Sequence, residues 1–168
     1  ARDRCHTFTN KQQVLITARV HPGEVPSSHV LHGFILFLLS QDPRAIALRK
    51  HYVFRIVPML NPDGVVLGHY RTDGRGVNLN RMYAAPDIGL HPTIYATRQL
   101  FLFLANSGSA AAAPIDPNVP PSTPPSPSPS SSSSPTGSHL ALYVDLHAHA
   151  SKRGCFVFGN ALDDKTAQ

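Results

Sequence analysis

Short apolar runs recur along the chain, separated by stretches long enough for helices. Residues 13–20, QVLITARV, are rich in β-branched side chains and are stopped by Pro22 and Gly23, so they predict a buried strand. Runs of the same kind predict further strands at residues 52–59, 140–147 and 155–158.

Three segments between these runs favour helices. Ser27 and Ser28 are suitable caps for a helix through residues 30–40, which ends before Pro43. Helices are also predicted at residues 44–50 and 91–105, and a turn is predicted at residues 61–64, NPDG. This order predicts an α/β fold, with a mixed sheet and helices on both of its faces. Ligands of such sheets bind outside the carboxyl ends of the strands.

One segment differs in composition from the rest. Residues 107–138 are dominated by Ser, Pro and Ala, hold 9 of the 16 prolines and carry a single charge, Asp116. So few apolar side chains cannot offset the entropy lost on ordering, and we expect a disordered insertion. Because long surface insertions cost little free energy, residues 1–106 and 139–168 are expected to belong to one domain.

Charge and hydropathy narrow the choice of partners. The 168 residues carry 15 Lys and Arg against 10 Asp and Glu, a net charge of +5 that favours an acidic partner. No nucleic-acid motif accompanies the charge, and the longest apolar run, residues 30–39, is too short to span a bilayer. We therefore expect neither a nucleic acid nor a membrane as partner. A polar N-terminal segment and two distant cysteines, Cys5 and Cys155, indicate a cytoplasmic protein.

Potential metal ligands fall at the ends of predicted strands. His21 and Glu24 follow the first strand, and the tight Pro-Gly turn between them aims both side chains at one point. His147 ends the third predicted strand. If the strand stays regular, His149 lies on the same face as His147, so geometry alone allows either histidine as a third ligand. A catalytic zinc takes three such ligands and keeps a fourth position open, whereas isolated HxxE pairs are common by chance.

An arginine-rich segment separates the two groups of potential ligands. Arg71, Arg75 and Arg81 fall within eleven positions, and Gly74 and Gly76 between them favour a loop. A guanidinium binds a carboxylate through two parallel hydrogen bonds and keeps its charge. The segment is either a carboxylate-binding loop or an ordinary solvated loop.

Five ordered motifs resemble those of one enzyme family. HPGE, NPDGV, GHYR, GVNLNR and DLHAHAS are similar in sequence and order to the carboxypeptidase A-like zinc peptidases, above all to their cytosolic carboxypeptidase branch. The resemblance covers nearly the whole chain outside the Ser/Pro-rich segment. It implies a carboxypeptidase-like fold, one zinc ion per chain, and removal of glutamates from acidic protein tails such as that of tubulin.

The same resemblance implies roles for individual residues. Arg71 corresponds to the arginine that polarises the scissile carbonyl and stabilises its oxyanion. Asn80 and Arg81 correspond to the pair that grips the terminal carboxylate of the substrate. Such a grip accounts for exopeptidase action, because an internal peptide bond offers Arg81 no free carboxylate. The zinc ligands implied by the resemblance are His21, Glu24 and His147.

Two features depart from the family pattern. Asn78 stands where the wider family often has an aspartate bonded to the first zinc histidine, and its amide oxygen can orient that ring without adding charge. The general base of the family is a glutamate downstream of the third ligand, whereas Glu24 is the only glutamate of this sequence. We therefore expect a fold that is incomplete at its C-terminal end, and residues 1–168 alone to lack family-like turnover.

Two other functions are compatible with these residues. One is a truncated, non-catalytic module that binds zinc and acidic tails. The other is an amidohydrolase of the aspartoacylase type, which shares an HxxE…H zinc site. The NPDGV and NLNR motifs together favour the peptidase over the amidohydrolase.

The composition of residues 107–138 leads to a testable prediction. Replacing them with a short Gly/Ser linker should leave zinc content and solubility unchanged, because the segment contributes nothing to a core. Zinc per chain and soluble yield are measured beside the unmodified protein. A clear loss of either quantity would mean that the segment packs against the domain.

Overall fold

The computed structural model describes residues 8, 10–106 and 139–160. The predicted insertion at residues 107–138 lies outside the described residues and stays a prediction. Cys5 also lies outside them. No helix in the described part is long and apolar enough to cross a membrane. In chain order the elements are β1 (Gln12–Ala18), α1 (Val25–Leu39), α2 (Pro43–His51), β2 (Tyr52–Val57), α3 (Pro62–Val66), a 3₁₀ turn (Leu79–Arg81), α4 (Pro92–Asn106) and β3 (Leu140–Leu146).

Strand β1 is the centre of the sheet that the described residues form, with the order β2-β1-β3. Both pairings are parallel, where a mixed sheet was expected, and Thr17 of β1 lies between Val57 of β2 and Asp145 of β3. The carboxyl ends of parallel strands meet at one edge. The residues that follow β1 and β3 therefore come together, although more than a hundred positions separate them in the chain.

Helices cover both faces of this sheet, as the sequence predicts. Val14 and Ile16 of β1 form a buried cluster with Leu31 of α1 on one face. Tyr143 of β3 pairs with Leu15, whose side chain points to the other face because strand side chains alternate. On that face the Tyr143 ring meets Phe101 of α4, with ring centroids 5.6 Å apart. The predicted α/β class with helices on both faces is confirmed.

A second apolar cluster anchors the segments that follow β1 and β2. Val20, Leu60, Leu79 and Ile94 bury their side chains together. The Leu60 amide also donates to the Ala18 carbonyl oxygen over 3.0 Å. This cluster fixes the long connection between β2 and α4 beneath the edge where the strands end.

The NPDG segment begins a helix where the sequence predicts a turn. The Asn61 side chain, 1% exposed, accepts a hydrogen bond from the Gly64 amide over 3.0 Å and so caps α3. Its amide group donates to the Val20 carbonyl oxygen over 3.2 Å. Asn61 therefore ties α3 to the chain just before His21.

Two other local predictions were wrong. Helix α1 begins at Val25 with Pro26 in its first turn, and the Ser27 hydroxyl donates to the Glu24 carbonyl oxygen from inside the helix. Ser27 is thus not the cap, because proline fixes the start of the helix earlier. Residues 155–158 form no strand within the described part, since an apolar run needs a neighbouring strand for its backbone hydrogen bonds. The Phe156 ring packs edge-on against His149 instead.

Candidate metal centre

The turn after β1 is shaped by an arginine that carries no predicted role. Arg19 has a left-handed backbone with φ of 58°, uncommon for a residue other than glycine. Its guanidinium donates to the Pro22 carbonyl oxygen and to the Ser28 hydroxyl, each over 2.8 Å. These bonds fold the HPGE turn against the start of α1 and leave His21 only 3% exposed.

The three ligands implied by the family resemblance lie together in the structure. His21 Nδ1 is 2.8 Å from Glu24 Oε1, and His147 Nδ1 is 3.0 Å from Glu24 Oε2. One ligand atom from each of the three residues lies within 4.8 Å of the other two. No other group of three or more His, Cys, Asp or Glu side chains in the described part comes together in this way.

Each imidazole is also held from its outer side. His21 Nε2 lies 3.1 Å from Asn78 Oδ1, an oxygen that also accepts the Asn80 amide hydrogen over 3.1 Å. His147 Nε2 lies 2.7 Å from Asp145 Oδ2. Both partners are acceptors, so each Nε2 carries the ring proton in the neutral imidazole. Both Nδ1 lone pairs then point towards the Glu24 carboxylate.

This arrangement of donors fits a zinc ion. Nitrogen lone pairs that face carboxylate oxygens repel them unless a proton or a cation lies between. Two ligands at about 2.0–2.2 Å from a tetrahedral zinc lie roughly 3.4 Å apart, and the three ligand atoms here lie within 4.8 Å of one another. Imidazole and carboxylate are zinc ligands, and an outer carboxylate or carbonyl partner is typical of zinc-bound histidine.

Neighbouring groups favour the charged carboxylate at the centre. Burial raises the pKa of Glu24, but the Ala148 amide, which donates to Oε2 over 2.8 Å, and the two imidazoles bring it below its usual value. The hydrogen bond to Asp145 raises the pKa of His147, against burial, which lowers it. Asp145 thus increases the basicity of the His147 ring, which strengthens it as a ligand.

His149 lies apart from these three residues. Strand β3 ends at Leu146, so the alternation that would place both histidines on one face does not continue past it. His149 Nδ1 accepts the backbone amides of Ser151 and Lys152, each over 3.2 Å. The period of a strand allowed either histidine as the third ligand. In the structure only His147 lies beside Glu24.

Asp73 organises the arginine-rich loop. Its carboxylate, largely buried, accepts the Val77 amide over 2.8 Å and the Arg75 amide over 2.9 Å. Burial raises the pKa of Asp73, yet these bonds hold it below its usual value. Arg75 also pairs with Asp73 through its guanidinium. Arg71 and Arg81 are exposed and form no ion pair within the described residues, so their charge is available to a ligand.

Two glycines let this loop approach the HPGE turn. The Gly23 amide donates to the Tyr70 carbonyl oxygen over 2.8 Å, and a Cβ at Gly23 would lie 2.6 Å from the Tyr70 ring. A Cβ at Gly64 would lie 2.5 Å from the Thr72 carbonyl oxygen. Tyr70, before Arg71, is thereby seated against the turn that carries His21, and Thr72, after it, against α3. Sequence reasoning missed Gly64, for which the NPDG motif is the available signal.

Comparison with known proteins identifies the family to which the chain belongs. Residues 6–149 match the family described as zinc carboxypeptidase, and the chain belongs to that family. A metallo-carboxypeptidase from Pseudomonas aeruginosa aligns with 87% of this chain and 30% of its own, with a TM-score of 0.59. At 21% identity, that likeness shows the shared fold.

Two curated relatives carry the resemblance to the cytosolic branch. Cytosolic carboxypeptidase-like protein 5 of Danio rerio is 39% identical over 98% of this chain and 26% of its own length. Cytosolic carboxypeptidase 6 of Caenorhabditis elegans is 44% identical over 90% of this chain and 27% of its own. The resemblance is confirmed, and the chain spans about a quarter of the length of these relatives.

The separation of the two histidines gives a test of the ligand set. We expect His147→Ala to lose most bound zinc, because a third ligand disappears. We expect His149→Ala to retain it, because that ring contacts Ser151, Lys152 and Phe156 and not Glu24. Zinc per chain is measured by elemental analysis after dialysis against a weak chelator. The opposite pattern would overturn the assignment.

The close approach at Gly64 gives a second test, on stability. Gly64→Ala should lower the free energy of unfolding by about 1–3 kcal/mol, because the new Cβ overlaps the Thr72 carbonyl oxygen. The matched control is Gly33→Ala in α1, where a Cβ meets nothing within 4 Å. It should raise stability by roughly 0.5–1 kcal/mol, because alanine favours a helix interior. Equal effects of the two variants in urea unfolding would contradict the proposed close packing.

Proposed function

We propose that this chain supplies the zinc ligands and the carboxylate-binding residues of a zinc-dependent metallocarboxypeptidase of the cytoplasm. Its proposed reaction is the removal of C-terminal or branch glutamates from acidic protein tails such as that of tubulin. The observation that carries the proposal is the convergence of His21, Glu24 and His147, with both imidazoles held from outside. Beside them lies a loop with two exposed arginines that form no ion pair within the described residues.

The ligand set determines what the centre can do. Zinc held by His21, Glu24 and His147 would supply Lewis-acid polarisation to the scissile carbonyl and to the attacking water. Asn78 and Asp145 hold the two rings in the orientation that presents Nδ1.

Arg71 is the proposed partner of the developing oxyanion. The hydrogen bond between Gly23 and Tyr70 fixes the residue before Arg71 against the HPGE turn. A guanidinium that forms no other ion pair can meet a negative oxygen without first breaking a bond. Stabilisation of charge that appears only in the transition state lowers the barrier to hydrolysis.

Asn80 and Arg81 are the proposed grip on the substrate's terminal carboxylate. They lie in the 3₁₀ turn, and the Asn80 amide is tied to the same Asn78 oxygen that His21 contacts. One side chain thus links the metal ligand to the proposed carboxylate site. This linkage supports cleavage at a fixed distance from the chain end, as an exopeptidase requires.

Net charge supports the proposed substrate class, and similarity to known proteins supports the proposed location. A net charge of +5 favours acidic peptides through long-range attraction. The relatives whose names place them in the cytosol support the proposed location.

A binding experiment tests the proposed grip separately from turnover. Zinc-loaded protein is titrated with an acidic peptide that has a free C-terminus and with its C-terminal amide. We expect the free acid to bind about tenfold more tightly or better, because Arg81 pairs with it. Arg81→Ala should remove this difference, whereas Arg44→Ala, on exposed α2 and paired with Asp42, should preserve it.

Mass spectrometry must show that both peptides stay intact during the titration. Equal binding of the acid and the amide by the unaltered protein would refute the grip. It would leave the metal centre to be judged by the zinc measurements.

A further inference from the structure

Thr17 is the residue of the central strand that faces Asp145. The two residues are paired in the parallel register of β1 and β3, and their side chains meet on one face of the sheet. Thr17 is fully buried, and its hydroxyl donates to Asp145 Oδ1 over 2.7 Å. Because Thr17 is kept from water, no solvent molecule can take the place of this bond if the hydroxyl is removed.

The Tyr143 hydroxyl continues the chain of hydrogen bonds away from the metal centre. It lies 3.1 Å from Thr17 Oγ1. A hydroxyl has one hydrogen to donate and two lone pairs that accept, and the hydrogen of Thr17 goes to a carboxylate oxygen. Tyr143 is therefore the donor to Thr17, and burial, which raises the pKa of Tyr143, keeps its phenol protonated for that role. The bonds run in one direction, from Tyr143 through Thr17 to Asp145.

The Asp145 carboxylate depends on Thr17 for its orientation. Oδ1 accepts the Thr17 hydroxyl, and Oδ2 lies 2.7 Å from His147 Nε2. The last torsion of an aspartate is broad, so the rotamer alone does not fix where its two oxygens point. Without Thr17, the hydrogen-bond partner left to this carboxylate in the described part would be His147, the ring that it has to orient.

His147 needs such support because the strand no longer holds it. The pairing of β1 with β3 ends one residue before His147. The other imidazole is secured differently, since Asn78 Oδ1, beside His21 Nε2, also accepts the Asn80 backbone amide. Main chain thus holds the outer partner of His21, whereas the buried Thr17 side chain holds the outer partner of His147.

We infer that Thr17 is a positioning residue of the metal centre. Its hydroxyl fixes the Asp145 carboxylate in the orientation that makes His147 present Nδ1 to a zinc ion. Thr17 is not itself a ligand and acts only through Asp145. This inference rests on the metal centre of the proposed function and is independent of the substrate.

Thr17→Val tests this role, because valine keeps the shape of threonine and removes only the hydroxyl. Zinc affinity is measured by competition with a chromophoric chelator, and the geometry of the site by the visible absorption of the cobalt(II) form. We expect the zinc dissociation constant to rise about tenfold, as for loss of an outer partner, and the cobalt bands to shift. Thr17→Ser retains the hydroxyl, so it should keep the constant within about twofold of that of the unaltered protein, with unshifted bands.

A double-mutant cycle tests whether Thr17 acts through Asp145. In the Asp145→Ala background, Thr17→Val should change the zinc dissociation constant less than about twofold, because members of one hydrogen-bond network are not additive. Thr93→Val is the matched control, since it removes a hydroxyl that donates to the Leu60 carbonyl oxygen over 2.7 Å. It should lower the unfolding midpoint and leave the zinc affinity and the cobalt spectrum unchanged.

The outcomes separate the positioning role from the metal centre. Unchanged zinc affinity and cobalt spectrum in Thr17→Val would overturn the role, as would an equal further loss of affinity in the Asp145→Ala background. If Thr17→Val does not fold, Tyr143→Phe removes the donor to Thr17 and should raise the zinc dissociation constant about two- to threefold, because the chain of bonds is cooperative. No change in that variant would then overturn the role. An unaltered protein that binds no zinc would overturn the metal centre and the role of Thr17 together.

Discussion

The structure of this site depends on one carboxylate. Glu24 is approached by His21 from the turn after β1 and by His147 and the Ala148 amide from the end of β3. The two parallel strands bring these segments to one edge, and the carboxylate then fixes their relative position. A zinc ion held there would bind residues that the sheet has already brought together. The hydrogen bond from the Ala148 amide to Glu24 is a structural link, and the two Nδ1 atoms beside the same carboxylate are a prepared ligand geometry.

The interactions that orient the centre continue outward in two directions. Asn78 links His21 to the 3₁₀ turn that carries Asn80 and Arg81. Asp145 links His147 to Thr17 of the central strand. Displacement of Asn78 would therefore move His21 together with the proposed carboxylate grip, and displacement of Asp145 would move His147. The proposed grip is coupled in this way to one of the two histidines.

The sequence predicts the framework of the site better than its local geometry. Apolar runs predicted the three strands to within two residues at each end, because burial on both faces selects the same side chains wherever the strand pairs. The sequence motifs predicted His21, Glu24 and His147 as zinc ligands. Arg19 and Gly64 were missed, because a left-handed φ and a close approach depend on what packs nearby. The failed strand at residues 155–158 has the same cause, since strand formation needs a partner that the run itself does not contain.

The two histidines differ in the charge of their outer partners, and the difference has a consequence for acidic substrates. Asp145 is a carboxylate, whereas Asn78 is neutral where the wider family often has aspartate. With a divalent cation, the charges of Glu24 and Asp145 cancel, and a second outer aspartate would leave the centre negative. A glutamate-rich tail brings several negative charges within a Debye length of about 8 Å. Asn78 keeps the orientation of His21 without adding repulsion, so an acidic peptide of the proposed kind would meet a neutral metal centre beside the positive charges of Arg71 and Arg81.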